Sequence, residues 1–306
     1  MNSRKSIRHI FILALLAVAA CFAYVQAGDA SGPATPTDTI NELVVSAARG
    51  EPAAMLQVAM LHEQGVRAMD GTLVIPRNFT EAFKLYTVLG AGDHIPEALF
   101  AIGVCYETGL GVTADPSKAT EHYQKAAKLN HPPALLKMAE LLLDGRLFQQ
   151  NTAQGLEFLE AAFRGGNADA AHQLALIHLQ GRFGRPVDQA RGVQWLNEAA
   201  ARGQVAAMQA MAELRQVGVA GVLERDVAEA MKLYLVLAKT NNLPPAATQK
   251  AQALRNAMTQ AEAQVADDNA VKWLRELEAS QLQTQEEAKR VAEQRFAAFK
   301  ARPGKK

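Results

Sequence analysis

One glycine recurs five times through the middle of the chain, and its spacing constrains the fold more than any other feature. Successive copies are 44, 36, 36 and 37 residues apart, at Gly65, Gly109, Gly145, Gly181 and Gly218. The residue eleven positions earlier is always alanine, and the residue six positions earlier is always small: Ala59, Gly103, Ala139, Ala175 and Ala212. Self-similarity at this period predicts an array of helical repeats. An insertion at 67–76 explains the longer first spacing.

A second helix follows the glycine in each repeat. In the second copy, apolar spacing predicts a first helix over 96–107, and Asp115 before Pro116 predicts the start of a second helix that ends near Asn130. The same capping position holds an acceptor side chain in every copy: Asn78, Asp115, Asn151, Asp188 and Asp226. Four residues later the side chain is again small or absent, which predicts two closely packed helices per repeat.

The loop YETGLGV at 106–112 and the segment DPSKATEHYQKAA at 115–127 resemble the signature of the Sel-one-like repeat family, relatives of the tetratricopeptide repeat. The resemblance covers about 38–243 and is looser in the third and fifth copies, which lack the full glycine loop. It implies an all-α fold, a right-handed α/α superhelical solenoid. We expect a capping helix at 38–50 and repeats at about 51–94, 95–130, 131–167, 168–204 and 205–243.

The N-terminal 27 residues predict a signal peptide, because basic residues precede an apolar run at 10–25 and small residues surround a cleavage site after Ala27. A Gly/Pro/Ser/Thr-rich linker follows at 28–37, and we expect it to be disordered. We expect a periplasmic or secreted protein in which Cys105 is the only cysteine and no internal disulfide forms. Two alternatives stay open: a lipoprotein anchored at Cys21, or a retained membrane anchor.

The repeat pattern stops at Pro244, and two further helices are predicted at 246–264 and 267–300. Trp273, Leu274 and Leu277 would dock the first part of this region, 244–300, on the last repeat as a cap. Residues 288–306 carry seven basic side chains against one acidic, and end in a basic tail at 301–306. Either this segment is a solvated helix, or it is an arm for an anionic partner such as a membrane or an acidic protein.

No pattern in the sequence predicts catalysis, a cofactor or a metal site. His172 and His178 are six residues apart, which takes them off the shared helix face that two metal ligands need. The loop glycines close a helix, whereas a nucleotide fingerprint follows a strand. A cell-wall hydrolase, the least favoured function, would need Glu107 or Glu140 near His172. We interpret one variable column as a packing position: His62, Tyr106, Leu142, His178 and Arg215.

The resemblance to tetratricopeptide repeats also implies a binding surface, because there the first helix of each unit lines a concave face. The corresponding positions lie three before, one after and four after the small residue: Leu56, Met60, Glu63, Phe100, Val104, Glu107, Leu136, Glu140, Leu143, His172, Leu176, Leu179, Gln209, Glu213 and Gln216. This stripe is apolar in its middle. It is either an exposed site for a protein or peptide with apolar anchors, or an inner face that the superhelix itself buries.

These observations predict a non-enzymatic adaptor of the bacterial cell envelope that binds a protein or peptide partner. The alternative is a lipid-anchored scaffold for polysaccharide export or cell-wall assembly. We expect no nucleic-acid partner. Membrane contact is expected only through a lipidated Cys21, a retained signal segment, or the basic segment 288–306.

Overall fold

The structure, a computed structural model, describes residues 36–67, 73–145, 149–239 and 245–300. Each repeat contains a first and a second helix, in the order predicted from the sequence. The bounds are α1 Pro36–Ala48, α2 Pro52–Gln64, α3 Phe79–Gly90, α4 Pro96–Thr108, α5 Pro116–Lys128, α6 Pro132–Asp144, α7 Thr152–Arg164, α8 Ala168–Gln180, α9 Gln189–Ala201, α10 Val205–Val217, α11 Val227–Lys239, α12 Pro245–Asn256 and α13 Gln260–Lys300.

The insertion in the first repeat adds two short strands. Strand β1 (Val66–Arg67) pairs antiparallel with β2 (Leu73–Ile75). The segment is anchored to the end of α2, where the Asn78 N–H donates to the His62 carbonyl at 2.7 Å and the His62 ring nitrogen Nδ1 lies 3.2 Å from the Pro76 carbonyl. The insertion therefore leaves the start of α3 in its repeat position.

The chain divides into two compact units. The first contains residues 1–129 and 291–306, and its core is built around Tyr86, Leu89, Ile95 and Ile102. The second contains residues 130–290, and one core cluster in it runs from Ala171 on α8 to Ala270 on α13. The predicted signal peptide, most of the linker and the basic tail at 301–306 lie outside the described residues. Within the described ranges, no helix is both long and apolar enough to cross a bilayer.

A backbone hydrogen bond joins the two helices of every repeat at the same place. The N–H of each second-helix capping residue donates to the carbonyl three residues before the recurring glycine, at 2.7 to 3.0 Å. The acceptors are His62, Tyr106, Leu142, His178 and Arg215. Each capping side chain in turn accepts a backbone N–H from the first turn of its helix, as predicted. The bond itself makes no demand on the side chain of this column, and the buried side chains of Leu142 and His178 confirm the packing interpretation in two of the repeats.

Three positions vary together where the two helices of a repeat pack. Repeats one, two and five have a buried tyrosine on the second helix, alanine four residues before it, and Glu63, Glu107 or Gln216 near the end of the first helix. The Tyr123 hydroxyl donates to Glu107 Oε2 at 2.6 Å, and the Gln216 amide lies 2.8 Å from the Tyr234 hydroxyl. A polar group at this position satisfies a phenol that is otherwise buried.

Repeats three and four fill the same space with hydrocarbon. Leu143 and Leu179 take the place of the polar residue, and leucine takes the place of tyrosine. The small residue of the second helix is then glycine. A Cβ on Gly155 would lie 2.7 Å from Leu143 Cγ, and one on Gly192 would lie 2.5 Å from Leu179 Cγ. Leucine, which is branched at Cγ, thus needs a glycine opposite it.

The C-terminal helices cap the last repeat, although they divide at a different residue from the one predicted. Trp273 and Leu274 pack against the core cluster of the second unit, as predicted, and Leu277 lies beside Gly203. The predicted boundary at 265–266 is wrong, because α13 begins at Gln260. The Thr259 N–H donates to the Glu262 carboxylate at 2.9 Å, and the Glu262 N–H donates to Thr259 Oγ1 at 3.3 Å. This capping box starts the helix.

The last turns of α13 belong to the first unit and contact its second repeat. Arg295 Nη1 lies 3.2 Å from Glu97 Oε1, and its Nη2 donates to the Leu129 carbonyl at 3.5 Å. The neighbouring Phe296 packs on the core of this unit. At this point, one basic side chain of 288–306 is engaged with the chain itself.

The pairing of Leu143 with Gly155 predicts a coupling between their substitutions. In the wild-type chain, G155A adds a methyl group against Leu143, and the overpacking, typically about 1–3 kcal/mol, opposes the roughly 1 kcal/mol that alanine gains over glycine in a helix. With L143A in place the clash is gone, so G155A should raise the free energy of unfolding. Urea unfolding of the four proteins measures the coupling.

The control is L179A combined with G155A, because Leu179 faces Gly192 and not Gly155. The effects of these two substitutions should add. Equal effects of G155A in the wild-type and L143A backgrounds would contradict the packing described.

Candidate partner-binding face

Five of the predicted surface residues serve the packing of their own repeat. Glu63, Glu107 and Gln216 pair with the buried tyrosines, and Leu143 and Leu179 pack on the glycines of the second helix. Leu143 is only 3% exposed. The physical reason is that the position four after the small residue points its side chain across to the second helix. The remaining ten residues, in two columns per repeat, form what we term the first-helix face.

In the first unit, the first-helix face consists of half-buried apolar side chains. Leu56 and Met60 on α2 pack against the edge of the core, and Val104 on α4 is also half-buried. Phe100 lies with its ring centroid 5.4 Å from that of Tyr123. The two interpretations of the stripe, exposed or self-buried, are both partly right here, because each side chain keeps part of its surface in solvent.

In the second unit, the face changes from apolar to polar along the repeats. Leu136 on α6 and His172 and Leu176 on α8 are half-buried, whereas Gln209 and Glu213 on α10 are exposed. Burial lowers the pKa of His172, although nearby Asp169 opposes that shift. His172 therefore favours its neutral form and offers a ring with both a donor and an acceptor.

The acidic residues of the face already have partners. In the third repeat, Glu140 accepts from the Gln173 amide at 2.9 Å and lies 4.0 Å from the Lys137 ammonium. Glu213 pairs with Lys250 of α12 at 2.9 Å, and this hydrogen bond lowers the pKa of the Glu213 carboxyl. The surface left for a partner is chiefly the hydrocarbon of Leu136 and Leu176, with the His172 ring between them in sequence.

The first repeat contains a buried carboxyl beside a buried phenol. The Tyr86 side chain, 2% exposed, hydrogen-bonds to Glu63. Burial raises the pKa of the Glu63 carboxyl to about 7, against the weaker opposite effects of the Tyr86 hydrogen bond and the Arg77 charge. Burial likewise raises the pKa of the neighbouring Cys105 thiol to about 12. Cys105 is therefore a packed thiol with little nucleophilic character.

The residues named for a hydrolase have structural contacts of their own. The Glu107 carboxylate accepts from Tyr123, and the Glu140 carboxylate accepts from Gln173. In the parts of the chain that the structure describes, no three His, Cys, Asp or Glu side chains come together in a way that would hold a metal ion. The geometry therefore gives an acid–base reaction no support at these positions.

The five units of two packed helices define the chain as an α/α repeat protein. The family model described as the Sel1 repeat matches residues 52–88, 96–131, 132–167, 168–204 and 205–239. The chain therefore belongs to the Sel1 repeat family. This confirms the predicted family, the number of repeats and the all-α solenoid fold class.

Solved structures share this fold. A Sel1 repeat protein from Oxalobacter formigenes superposes with a TM-score of 0.61 at 24% identity, over 77% of this chain and 94% of that one. A protective antigen of uropathogenic Escherichia coli strains superposes with a TM-score of 0.51 at 19% identity, over 80% of this chain and 49% of that one. At such identities the likeness shows the fold alone.

Curated relatives include proteins named as regulators of chitin synthase. Chitin synthase regulatory factor 3 of Schizosaccharomyces pombe is 30% identical over 177 residues, and chitin synthase regulatory factor 2 of the same yeast is 33% identical over 150 residues. The matches cover 56% and 47% of this chain but only 18% and 29% of those proteins. The chain thus spans less than a third of the curated relatives.

The buried carboxyl predicts how stability depends on pH. The pKa of Glu63 is about 7 in the folded chain and 4.5 for an ordinary glutamate, so the unfolded chain loses this proton first. The free energy of unfolding should therefore fall as pH rises from about 4.5 to about 7, by on the order of 2 kcal/mol from this group. E63Q removes this contribution. The free energy of unfolding of E63Q, minus that of the wild type, should therefore increase from about pH 4.5 to about pH 7.

Urea unfolding at pH 4 and pH 8 measures the difference. E107Q is the matched control, because it also replaces a carboxylate that accepts a hydrogen bond from a buried tyrosine. A stability difference between E63Q and wild type that stays constant from pH 4 to pH 8 would show that Glu63 is not desolvated as described.

Proposed function

We propose that the protein is a non-enzymatic adaptor of the bacterial cell envelope that binds a protein or peptide through the first-helix face. The observation that carries this proposal is the pair of columns on α6 and α8. Their apolar side chains, such as Leu136 and Leu176, stay partly exposed to solvent, whereas the side chains of the neighbouring column pack within their own repeat. Half-exposed apolar residues at helical spacing suit a partner segment with apolar anchors.

The family supports a binding role. Repeat arrays present extended surfaces, and each unit adds one helix to the surface. The curated relatives are named as regulatory factors, and their names describe an effect on another protein. Contact with another protein is the mode of action that we assign to the first-helix face.

The second candidate is a lipid-anchored scaffold beside machinery for polysaccharide export or cell-wall assembly. The observation that favours it is that the relatives are named for chitin synthase, an enzyme of a wall polysaccharide. Intact-mass measurement of the protein isolated from cells separates the two candidates. A mature chain that starts at Gly28 supports the soluble envelope adaptor. A chain that starts at Cys21 with added acyl groups supports the scaffold, and an uncleaved chain contradicts export with cleavage.

Site-specific photo-crosslinking tests the binding face. A benzoylphenylalanine introduced at His172 or Gln209 should form a covalent adduct with a partner when living cells are irradiated, because both residues lie on the first-helix face. The adduct is measured as a band of higher mass on denaturing gels and identified by mass spectrometry.

Two exposed residues on second helices, Glu121 on α5 and Glu157 on α7, are matched control positions. They should give no adduct with the same partner. Adducts only at the control positions, or equally at all four, would contradict the assignment of the first-helix face.

A further inference from the structure

A cleft separates the fourth repeat from the fifth within the second unit. It has a volume of about 380 Å³ and lies between α9, α10 and the turn that follows α10. The walls combine apolar Val193, Met211 and Leu223 with polar Gln194, Asn197 and Arg215. The cleft is open to solvent, and its walls are about as polar as they are apolar. Polar groups placed beside apolar ones can fix the orientation of what binds.

Arg215 is the unusual member of this cleft. Its Nε is buried and has no hydrogen-bond partner, and within the described ranges its guanidinium forms no ion pair. Other arginines of the same unit are engaged: Arg225 Nε donates to the Gln216 carbonyl, Arg191 pairs with Asp188, and Arg255 pairs with Asp267. A buried donor without a partner costs free energy, so an unpartnered one calls for an explanation.

The fold fixes Arg215 without using its charge. Its carbonyl accepts from the Asp226 N–H at 2.7 Å, the hydrogen bond that every repeat makes at this column. Histidine, tyrosine and leucine meet the same need in the other four repeats. The guanidinium is therefore not required for the repeat, and Arg215 is the only arginine or lysine in this column.

The chemistry of the walls selects the ligand. A guanidinium presents planar N–H donors that match a carboxylate, and the amides of Gln194 and Asn197 add further donors. The apolar walls favour a carboxylate carried on a segment with apolar neighbours over a small hydrated anion. We propose that this cleft binds the side-chain carboxylate of a glutamate or aspartate flanked by apolar residues in a partner peptide.

This inference deepens the proposed function, on which it rests, by naming one chemical group of the partner. The two fail separately, because the first-helix face is tested by crosslinking in cells and the cleft by a purified peptide. A failed peptide titration would overturn the cleft alone, whereas failed crosslinking would count against the first-helix face and leave the measured peptide affinity unchanged.

The test is a titration of the full mature chain, labelled with ¹⁵N-arginine, with the blocked peptide acetyl-Ala-Leu-Glu-Leu-Ala-amide. The Arg215 Nε–Hε resonance, identified by its absence in R215Q, should shift on binding. The matched peptide with Gln in place of Glu should bind about tenfold more weakly or worse, because it lacks the charge. R215Q should lose binding of the Glu peptide, and R164Q, which changes an exposed arginine of the same unit, should retain it.

Two further measurements keep the proposal open to failure if R215Q does not fold. Raising NaCl from 20 to 300 mM should weaken binding of the Glu peptide to the wild-type chain, and R215K should weaken it because lysine lacks the planar fork. Equal binding of the Glu and Gln peptides would overturn the proposal. Equal binding of the Glu peptide and of a Gln peptide with a free C-terminus would overturn the assignment to a side-chain carboxylate.

Discussion

The close approach of two helices within each repeat is the constraint on which the rest of the structure depends. Small residues on both helices permit it, and one hydrogen bond from the capping N–H to the end of the first helix fixes it in all five repeats. Because this bond uses a carbonyl, it does not itself restrict the side chain at that column. Arg215 is one result: the repeat tolerates a cation there because it needs only the backbone.

The same approach decides which side chains of the first helix are left for a partner. The residue two before the recurring glycine faces the second helix, where it is either polar opposite tyrosine or leucine opposite glycine. In both arrangements the side chain of this residue packs against the second helix of its own repeat. The residues one turn earlier, such as Leu176, and two turns earlier, such as His172, stay half-buried at the surface. We therefore place the proposed binding surface in two of the three columns.

Much of this architecture is predictable from the sequence, because caps and small residues act locally. The start of α4 at Pro96, its end to within one residue, and the five capping residues follow from spacing and side-chain chemistry alone. The paired strands at Val66–Arg67 and Leu73–Ile75 were not predicted, since an insertion carries no repeat to align. The start of α13 was missed although Thr259 and Glu262 form a recognisable capping box. The hydrogen bond between Glu107 and Tyr123 joins residues sixteen apart, and only coordinates reveal it.

The division of the first helix into packing and binding columns is the central claim, and paired variants test it most directly. The affinity of the crosslinked partner and the melting temperature should both be measured for H172A, L176A and Q216A. The account predicts that H172A and L176A each weaken binding by about tenfold with little change in melting temperature. Q216A should lower the melting temperature, because the Tyr234 hydroxyl loses its hydrogen bond to the Gln216 amide, and should leave the affinity of the folded chain unchanged. Unchanged affinity in H172A and L176A, or lost affinity in Q216A, would contradict the division.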